Sequence, residues 1–314
     1  GGRILARAVE EMACAKSNTQ VIALSNYCRT TLREYVTAKN NPETNIIDLQ
    51  NKTTYALSRR HVAELFAHLE DVRRAKIACH FSEKQAWKDY PCSGLMLDYD
   101  VVTTDREASL DYIRYSTIAS ALGVQLAKDL EIKGDFEAEV FFIQKRENYL
   151  VADKAPPGAP LAGKLFKYGF HILVPGVMLA RPYKRYLIRE FARSPKTLKV
   201  LSELGAVDPE KCLDLNSASV PVFFLGSCKC GSAPYELAGA VRVTVGPDLI
   251  PIIRCMETGV ETGGSAGGAA GAGTGARFNF VAELSLTHAA SYPDEKKPFV
   301  RKSVYECKPS VAVV

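Results

Sequence analysis

An α+β fold is predicted by three features of the sequence. Short apolar runs of strand length are interspersed with amphipathic helical stretches, in no regular order, which disfavours a doubly wound parallel sheet. Apolar residues make up 47% of the 314 residues and charged residues 24%. That balance supports a sizeable core and excludes wholesale disorder, collagen-like and coiled-coil chains. Turn signals such as Asn40-Asn41-Pro42 and Pro175-Gly176 divide the patterned stretches. The length suits two domains or one large one.

The elements follow in order. Residues 3–40 read as helical: Ile4, Ala8 and Met12, then Ile22, Tyr27, Leu32 and Val36 recur at helical spacing. Ile46-Ile47 and Thr53–Leu57 suggest a short hairpin. Ser58 stands where it could cap a helix over about 59–75, with Val62, Leu65, Phe66 and Leu69 on one face. Leu95-Met96-Leu97 begins a strand that runs into Asp98-Tyr99-Asp100. Residues 107–129 form an amphipathic helix through Leu110, Ile113, Ile118, Leu122 and Leu126. Ala138–Ile143 is a strand, followed by a Pro/Gly loop over Ala155–Gly163. Lys167–Val174 is a strand stopped by Pro175-Gly176. Residues 182–205 are helical and basic. Val220–Leu225, Val241–Val245 and Phe278–Leu286 complete the strands.

Composition narrows the setting. The net charge of +5 is too mild to announce nucleic acid by itself. Nine cysteines form no regular framework, which indicates a reducing compartment. No apolar run reaches membrane-span length, so no membrane partner is expected, and Gly1-Gly2-Arg3 is no signal peptide. Eight of the 22 glycines fall within Gly259–Gly275, with four alanines among them and no apolar anchor. This stretch reads as a flexible excursion. Both chain ends look cut, as in a fragment of a longer protein.

The sharpest chemical feature is Leu95-Met96-Leu97-Asp98-Tyr99-Asp100. Alternate residues of a strand share a face, so Asp98 and Asp100 project together. Their mutual repulsion is relieved by a divalent cation, and hard oxygen donors suit Mg²⁺ or Mn²⁺. The bland reading is a strand that ends in an acidic turn. In Lys167–Val174, the residues Lys167, Gly169 and His171 share one face, while Tyr168, Phe170 and Ile172 take the other. A cation, a bare backbone position and an imidazole suit a polyphosphate. A half-buried strand with a satisfied histidine is the alternative. Farther on, Cys212-Leu213-Asp214-Leu215 offers a third acid.

Taken in order, these motifs resemble the archaeo-eukaryotic primase superfamily, with its hydrophobic-DxD strand, Gly-x-His strand and later hydrophobic–acidic pair. Tyr55-Ala56-Leu57, the Ser93–Asp100 run, Lys167–His171, Cys212-Leu213-Asp214 with Ser217–Pro221, and Gly226-Ser227 with Lys229 resemble the primase portion of poxvirus- and asfarvirus-type primase–helicases of large DNA viruses. The likeness runs from about Thr53 to Ile252. It implies an RRM-like catalytic sheet with a flanking α/β subdomain and an N-terminal helical segment. It implies that Asp98, Asp100 and Asp214 hold one or two Mg²⁺ or Mn²⁺ ions, and that His171, Gly169 and Lys229 serve the incoming nucleoside triphosphate. The cellular pattern has Ser-Gly ahead of Gly-x-His. Phe166-Lys167 stands there in this chain, and Lys167 is the substitute phosphate contact. The implied activity is primer synthesis on single-stranded DNA by two-metal nucleotidyl transfer, in viral DNA replication in the host cytoplasm or nucleus. A C-terminal helicase, absent from this sequence, is the implied fusion partner. The implied layout is an N-terminal helical segment (1–50), a catalytic domain (51–258), a flexible Gly/Ala-rich loop or linker (259–276) and the C-terminal end of the primase region (277–314).

A basic stretch supports a template. Arg181, Arg185, Arg189 and Arg193 follow i, i+4 spacing, with Lys184, Lys196 and Lys199 nearby. A solvated helix face is the alternative. Gly158–Lys164 spells most of a Walker A loop, but Leu165 stands where a Ser or Thr must bind Mg²⁺, and no strand precedes it. Cys212, Cys228, Cys230 and Cys255 match no standard zinc spacing, and His61, Glu64 and His68 read as a solvent-facing trio. Two other function classes stand beside the primase. One is a non-catalytic single-strand-binding module that stacks bases on Tyr99, Tyr168 and Phe170. The other is a DxD metal-dependent transferase or nuclease.

Overall fold

The computed structural model describes residues 19–85, 92–132, 134–145, 147–151, 165–256, 281 and 284–286. Among them, two antiparallel sheets pack with five helices. The first sheet joins β1 (Val36–Thr37), β2 (Ile46–Asp48), β3 (Thr53–Tyr55), β4 (Phe81–Glu83) and β9 (Val222–Phe223) in the order β1-β3-β2-β4-β9. The second joins β5 (Cys92–Thr103), β6 (Phe136–Lys145), β8 (Phe166–Ala180), β10 (Tyr235–Val245) and β11 (Pro251–Cys255) in the order β11-β10-β6-β8-β5. The short β7 (Tyr149–Leu150) also pairs with β8. The helices are α1 (19–30), α2 (Arg59–Arg74), α3 (Tyr112–Asp129), α4 (Arg181–Phe191) and α5 (Pro195–Glu203). This is the α+β class that the patterning predicts.

The two-residue period of the larger sheet sorts its side chains. Leu95, Leu97, Tyr99 and Val101 of β5 share the main core with Tyr168, Phe170 and Ile172 of β8 and with apolar residues of α3, α4 and α5. On the opposite face, Met96, Phe141, Ile143 and Leu173 meet Val222 and Leu225, beside the smaller sheet. A third cluster lies between α1, α2 and the smaller sheet, centred on Leu65, Phe66 and Leu69.

Several elements differ from the sequence expectation. The helix expected over 3–40 ends at residue 30. A 3₁₀ turn over Leu32–Tyr35 and strand β1 follow, because Val36 and Thr37 pair with β3. β2 also pairs with β3, so position 50 falls between partnered strands. Residues 1–18 lie outside the described set. Ser58 does precede α2, but its hydroxyl bonds His61 Nδ1 at 2.9 Å rather than a backbone N–H. The stretch 182–205 is two helices. Ser194-Pro195 restarts the chain, since proline fits the first turn of a helix and not its interior.

Pro175-Gly176 does not stop β8. The ladder with β5 shifts register between Ser93 and Leu95, so proline's missing N–H falls at an irregularity. Gly94 is needed there, because a Cβ would lie 2.8 Å from the Cα of Pro175. The strand expected over Phe278–Leu286 is not seen in its described part: Val281 is helical and Leu284 sits in a turn. Buried carboxylates hold this piece. Glu83 accepts from Ser285 Oγ (2.7 Å) and the Leu286 N–H (2.6 Å), and Glu70 from the Val281 N–H (3.4 Å). The glycine tract, the Ala155–Gly163 loop and the Walker-like run at 158–164 lie outside the described residues. No helix among the described residues is long and apolar enough to cross a membrane.

Candidate active site

The site lies on the face of the larger sheet opposite α3. Antiparallel pairing sets Asp98 across from His171 and Asp100 across from Gly169, with Lys167 two residues further along β8. The His171 Nε2 lies 3.1 Å from Asp98 Oδ1, and the Lys167 Nζ lies 2.6 Å from Asp100 Oδ2. Lys167 and Asp100 are therefore a diagonal cross-strand pair, the geometry the sheet offers to long side chains.

Asp214 joins from the other edge of β5. The Asp214 N–H donates to the Asp98 carbonyl and the Asp100 N–H to the Cys212 carbonyl, each at 2.8 Å, around a bridge between Tyr99 and Leu213. The backbone of Asp214 is thus the direct neighbour of that of Asp98. Its Oδ1 accepts from the Asn216 N–H at 2.8 Å. Among the described residues, no three His, Cys, Asp or Glu groups are gathered closely enough to hold a metal ion. The backbone sets Asp98 and Asp100 on one face and brings Asp214 alongside Asp98, while each side chain is turned to a protein partner. Carboxylate oxygens are the donors Mg²⁺ and Mn²⁺ prefer, and the Lys167 ammonium already rests on Asp100 as a stand-in cation. The three acids therefore fit the ion in donor chemistry, and Asp98 and Asp100 in strand position as well.

The electrostatics are those of an anion site built around acids. Burial works against ionisation of Asp98, but the hydrogen bond and charge of His171, with Lys167 and Lys229, outweigh it and hold the carboxyl below its ordinary value. Burial likewise opposes charge on Lys167, and its bond to Asp100 more than reverses this, raising its pKa. His171 is only 4% exposed. The Tyr235 ring lies against it at 4.1 Å, and its Nδ1 has no partner among the described residues. His171 therefore orients Asp98 in this state. Gly169 keeps the space beside Asp100 open: an added Cβ would lie 3.6 Å from Asp100 Oδ1. Lys229 is exposed, on the loop between β9 and β10, which is pinned where Ser227 bridges Cys79.

Lys145 escaped the sequence reading. It ends β6 opposite Tyr235, with its Nζ 5.3 Å and 5.6 Å from the rings of Tyr149 and Tyr235. Burial lowers its pKa, with Lys167 and Lys229 adding to the effect and Asp100 and Asp98 opposing it. The only available signal was a lysine in phase with Ile143 at a strand end.

Arg181, Arg185 and Arg189 lie exposed on α4, and Arg193 lies exposed just beyond it. Arg181 Nε and an Arg185 Nη donate to Ser219 Oγ at 2.9 and 3.2 Å, which ties the stripe to the loop after Asp214. Lys184 does not belong to that face. It is 1% exposed, and its ammonium bonds Gln85 Oε1 (2.9 Å) and Ser93 Oγ. The proposed base-stacking platform is also absent: Tyr99, Tyr168 and Phe170 are buried in the main core, Tyr99 and Phe170 stacked on each other at 4.7 Å. His61 is buried beneath the Tyr35 ring at 4.2 Å, so it is no member of a solvent-facing trio. Glu64 accepts from Tyr27 Oη.

A family model described as the C962R protein N-terminal AEP domain matches residues 44–241. The chain is 31% identical over 287 residues to "Putative primase C962R" of African swine fever virus (isolate Pig/Kenya/KEN-50/1950). It is 30% identical over 287 residues to the protein of that name from isolate Warthog/Namibia/Wart80/1980. Both matches cover 89% of this chain and 26% of the relative, so the chain spans about a quarter of the length of these curated relatives.

Proposed function

The chain belongs to the C962R N-terminal family of archaeo-eukaryotic primase (AEP) domains, and on that premise we propose that it is the nucleotidyl-transferring part of a viral primase, making primers on single-stranded DNA from nucleoside triphosphates. The observation that carries this reading is the sharing of one face of β5 by Asp98 and Asp100, beside Lys145, Lys167 and Lys229, with the backbone of Asp214 hydrogen-bonded to that of Asp98. The three carboxylates would hold Mg²⁺ or Mn²⁺. Such ions, when bound, supply the positive charge that activates a 3′-hydroxyl and stabilises departing pyrophosphate.

The chain's own residues do the positioning. His171 holds Asp98 in one orientation and helps to keep it ionised. Gly169 leaves room beside Asp100 for a phosphate or sugar to approach the sheet. Lys145 and Lys229 carry charge toward the triphosphate. The reacting groups are aligned and their charge offset, with no protein nucleophile. The relatives' greater length supports a primase module within a larger protein.

The arginine stripe supports a template path that leaves the site past Ser219. Alanine at Arg181, Arg185 and Arg189 together is expected to weaken single-stranded DNA binding irrespective of sequence. The salt dependence, d log K/d log[salt], should become shallower by about 2, from three lost phosphate contacts. Fluorescence anisotropy across a salt series measures this. An unchanged slope would return the stripe to a solvated helix face.

The assignment itself is tested by incubating the protein with labelled nucleoside triphosphates, Mn²⁺ or Mg²⁺, and single-stranded DNA of defined sequence. Oligomers complementary to the template are expected. Degraded template would point to a nuclease and overturn the proposal, as would products that ignore the template sequence.

A further inference from the structure

Three lysines surround two strand-borne carboxylates, and only one of them is paired. Lys167 sits on Asp100 at 2.6 Å, whereas Lys145 and Lys229 have no carboxylate partner among the described residues. The pair is half open to water: the Lys167 side chain is 27% exposed and that of Asp100 51%. The contact is therefore strong enough to populate and weak enough to exchange. It also places a positive charge on a carboxylate that a divalent ion would use, so the two cations compete for Asp100 by charge.

We propose that Lys167 is a built-in counter-ion of Asp100 that a divalent cation displaces, and that the freed ammonium then joins Lys145 and Lys229 on the nucleotide's phosphates. This rests on the metal-dependent reading above and adds an order to it. Without metal, the lysine neutralises the acid and keeps it from repelling Asp98. With metal, one cation replaces another at the acid, and the released charge turns to the triphosphate. The arrangement couples the two ligands: metal entry creates part of the phosphate site. Lys145 differs, because its ammonium rests between Tyr149 and Tyr235 and touches no carboxylate. It is available to phosphate before metal arrives.

The test is Mn²⁺ titration of nucleotide-free protein, followed by electron paramagnetic resonance. Lys167→Met is expected to bind Mn²⁺ about fivefold more tightly than the wild type, the upper range for a half-exposed ion pair. Lys145→Met removes a nearby charge without removing a competitor and is expected to shift affinity less than about twofold. With Mn²⁺ saturating, both variants should bind a nonhydrolysable nucleoside triphosphate more weakly than the wild type. Equal Mn²⁺ affinity in Lys167→Met and wild type overturns the exchange alone, as does an equal gain in Lys145→Met. Absence of Mn²⁺ binding in every protein overturns the metal reading along with it.

Discussion

Asp98→Asn is expected to lower template-directed nucleotide incorporation about a thousandfold while leaving the protein folded. The substitution is close to isosteric. The amide oxygen can still accept from His171 Nε2, the one side-chain contact that Asp98 makes among the described residues. What disappears is the charge, which the site maintains by a hydrogen bond from His171 and by Lys167 and Lys229 despite burial. A carboxylate kept ionised against burial by three neighbours is arranged to meet positive charge. Single-turnover incorporation, with thermal unfolding as the control for folding, measures both halves of the expectation. Activity within tenfold of wild type would remove Asp98 from the reaction.

Lys184 carries the second large effect, on stability. Lys184→Ala is expected to cost about 3 kcal/mol, because it leaves Gln85 Oε1 and Ser93 Oγ buried without their donor and opens a cavity. Relief from burying the ammonium offsets part of this loss. The pH dependence isolates the effect of that burial. Burial pushes the Lys184 pKa down to about 7, with Cys92 and Glu83 pulling upward, whereas in the unfolded chain it returns to 10.5. Between those values the unfolded state binds the proton and the folded state does not. Stability therefore rises with pH across this window, by about 1.4 kcal/mol per unit. Below the folded pKa both states are protonated and the contribution is flat. Urea unfolding at pH 7 and pH 9 should show the rise in wild type relative to Lys184→Met, which lacks the titrating group and fills the space. Parallel behaviour of the two proteins would show that Lys184 keeps an ordinary affinity for its proton.

These two residues mark what the sequence made legible. Asp98, Asp100, Gly169 and His171 were readable because a strand alternates strictly: once the apolar partners are assigned to the core, the rest must share the other face. Their mutual register was not readable, since it depends on how β5 and β8 align across a long intervening stretch. Lys184 was misread because a lysine in a basic run looks solvated. Its burial arises from Gln85 and Ser93, which are remote in sequence. The helix end at residue 30 and the strands β1 and β4 escaped for a similar reason. Two- and three-residue strands carry no periodicity and owe their form to partners elsewhere. Tyr168 and Phe170 were placed on the face opposite Lys167, Gly169 and His171, and their burial there with Tyr99 is what removes all three as stacking platforms.

The position of β9 bears on how the chain must assemble. Its two residues close the edge of the smaller sheet against β4, yet they follow the whole of β5, α3, β6, β8, α4 and α5. On the ribosome, β1 to β4 emerge early and wait with an open edge until Val222-Phe223 has been made. The smaller sheet thus cannot finish before most of the larger one has been synthesised, and the two mature together as a slow, high-contact-order unit. A fragment that ends before residue 222 would expose β4 as an unpaired edge, a ready template for self-association.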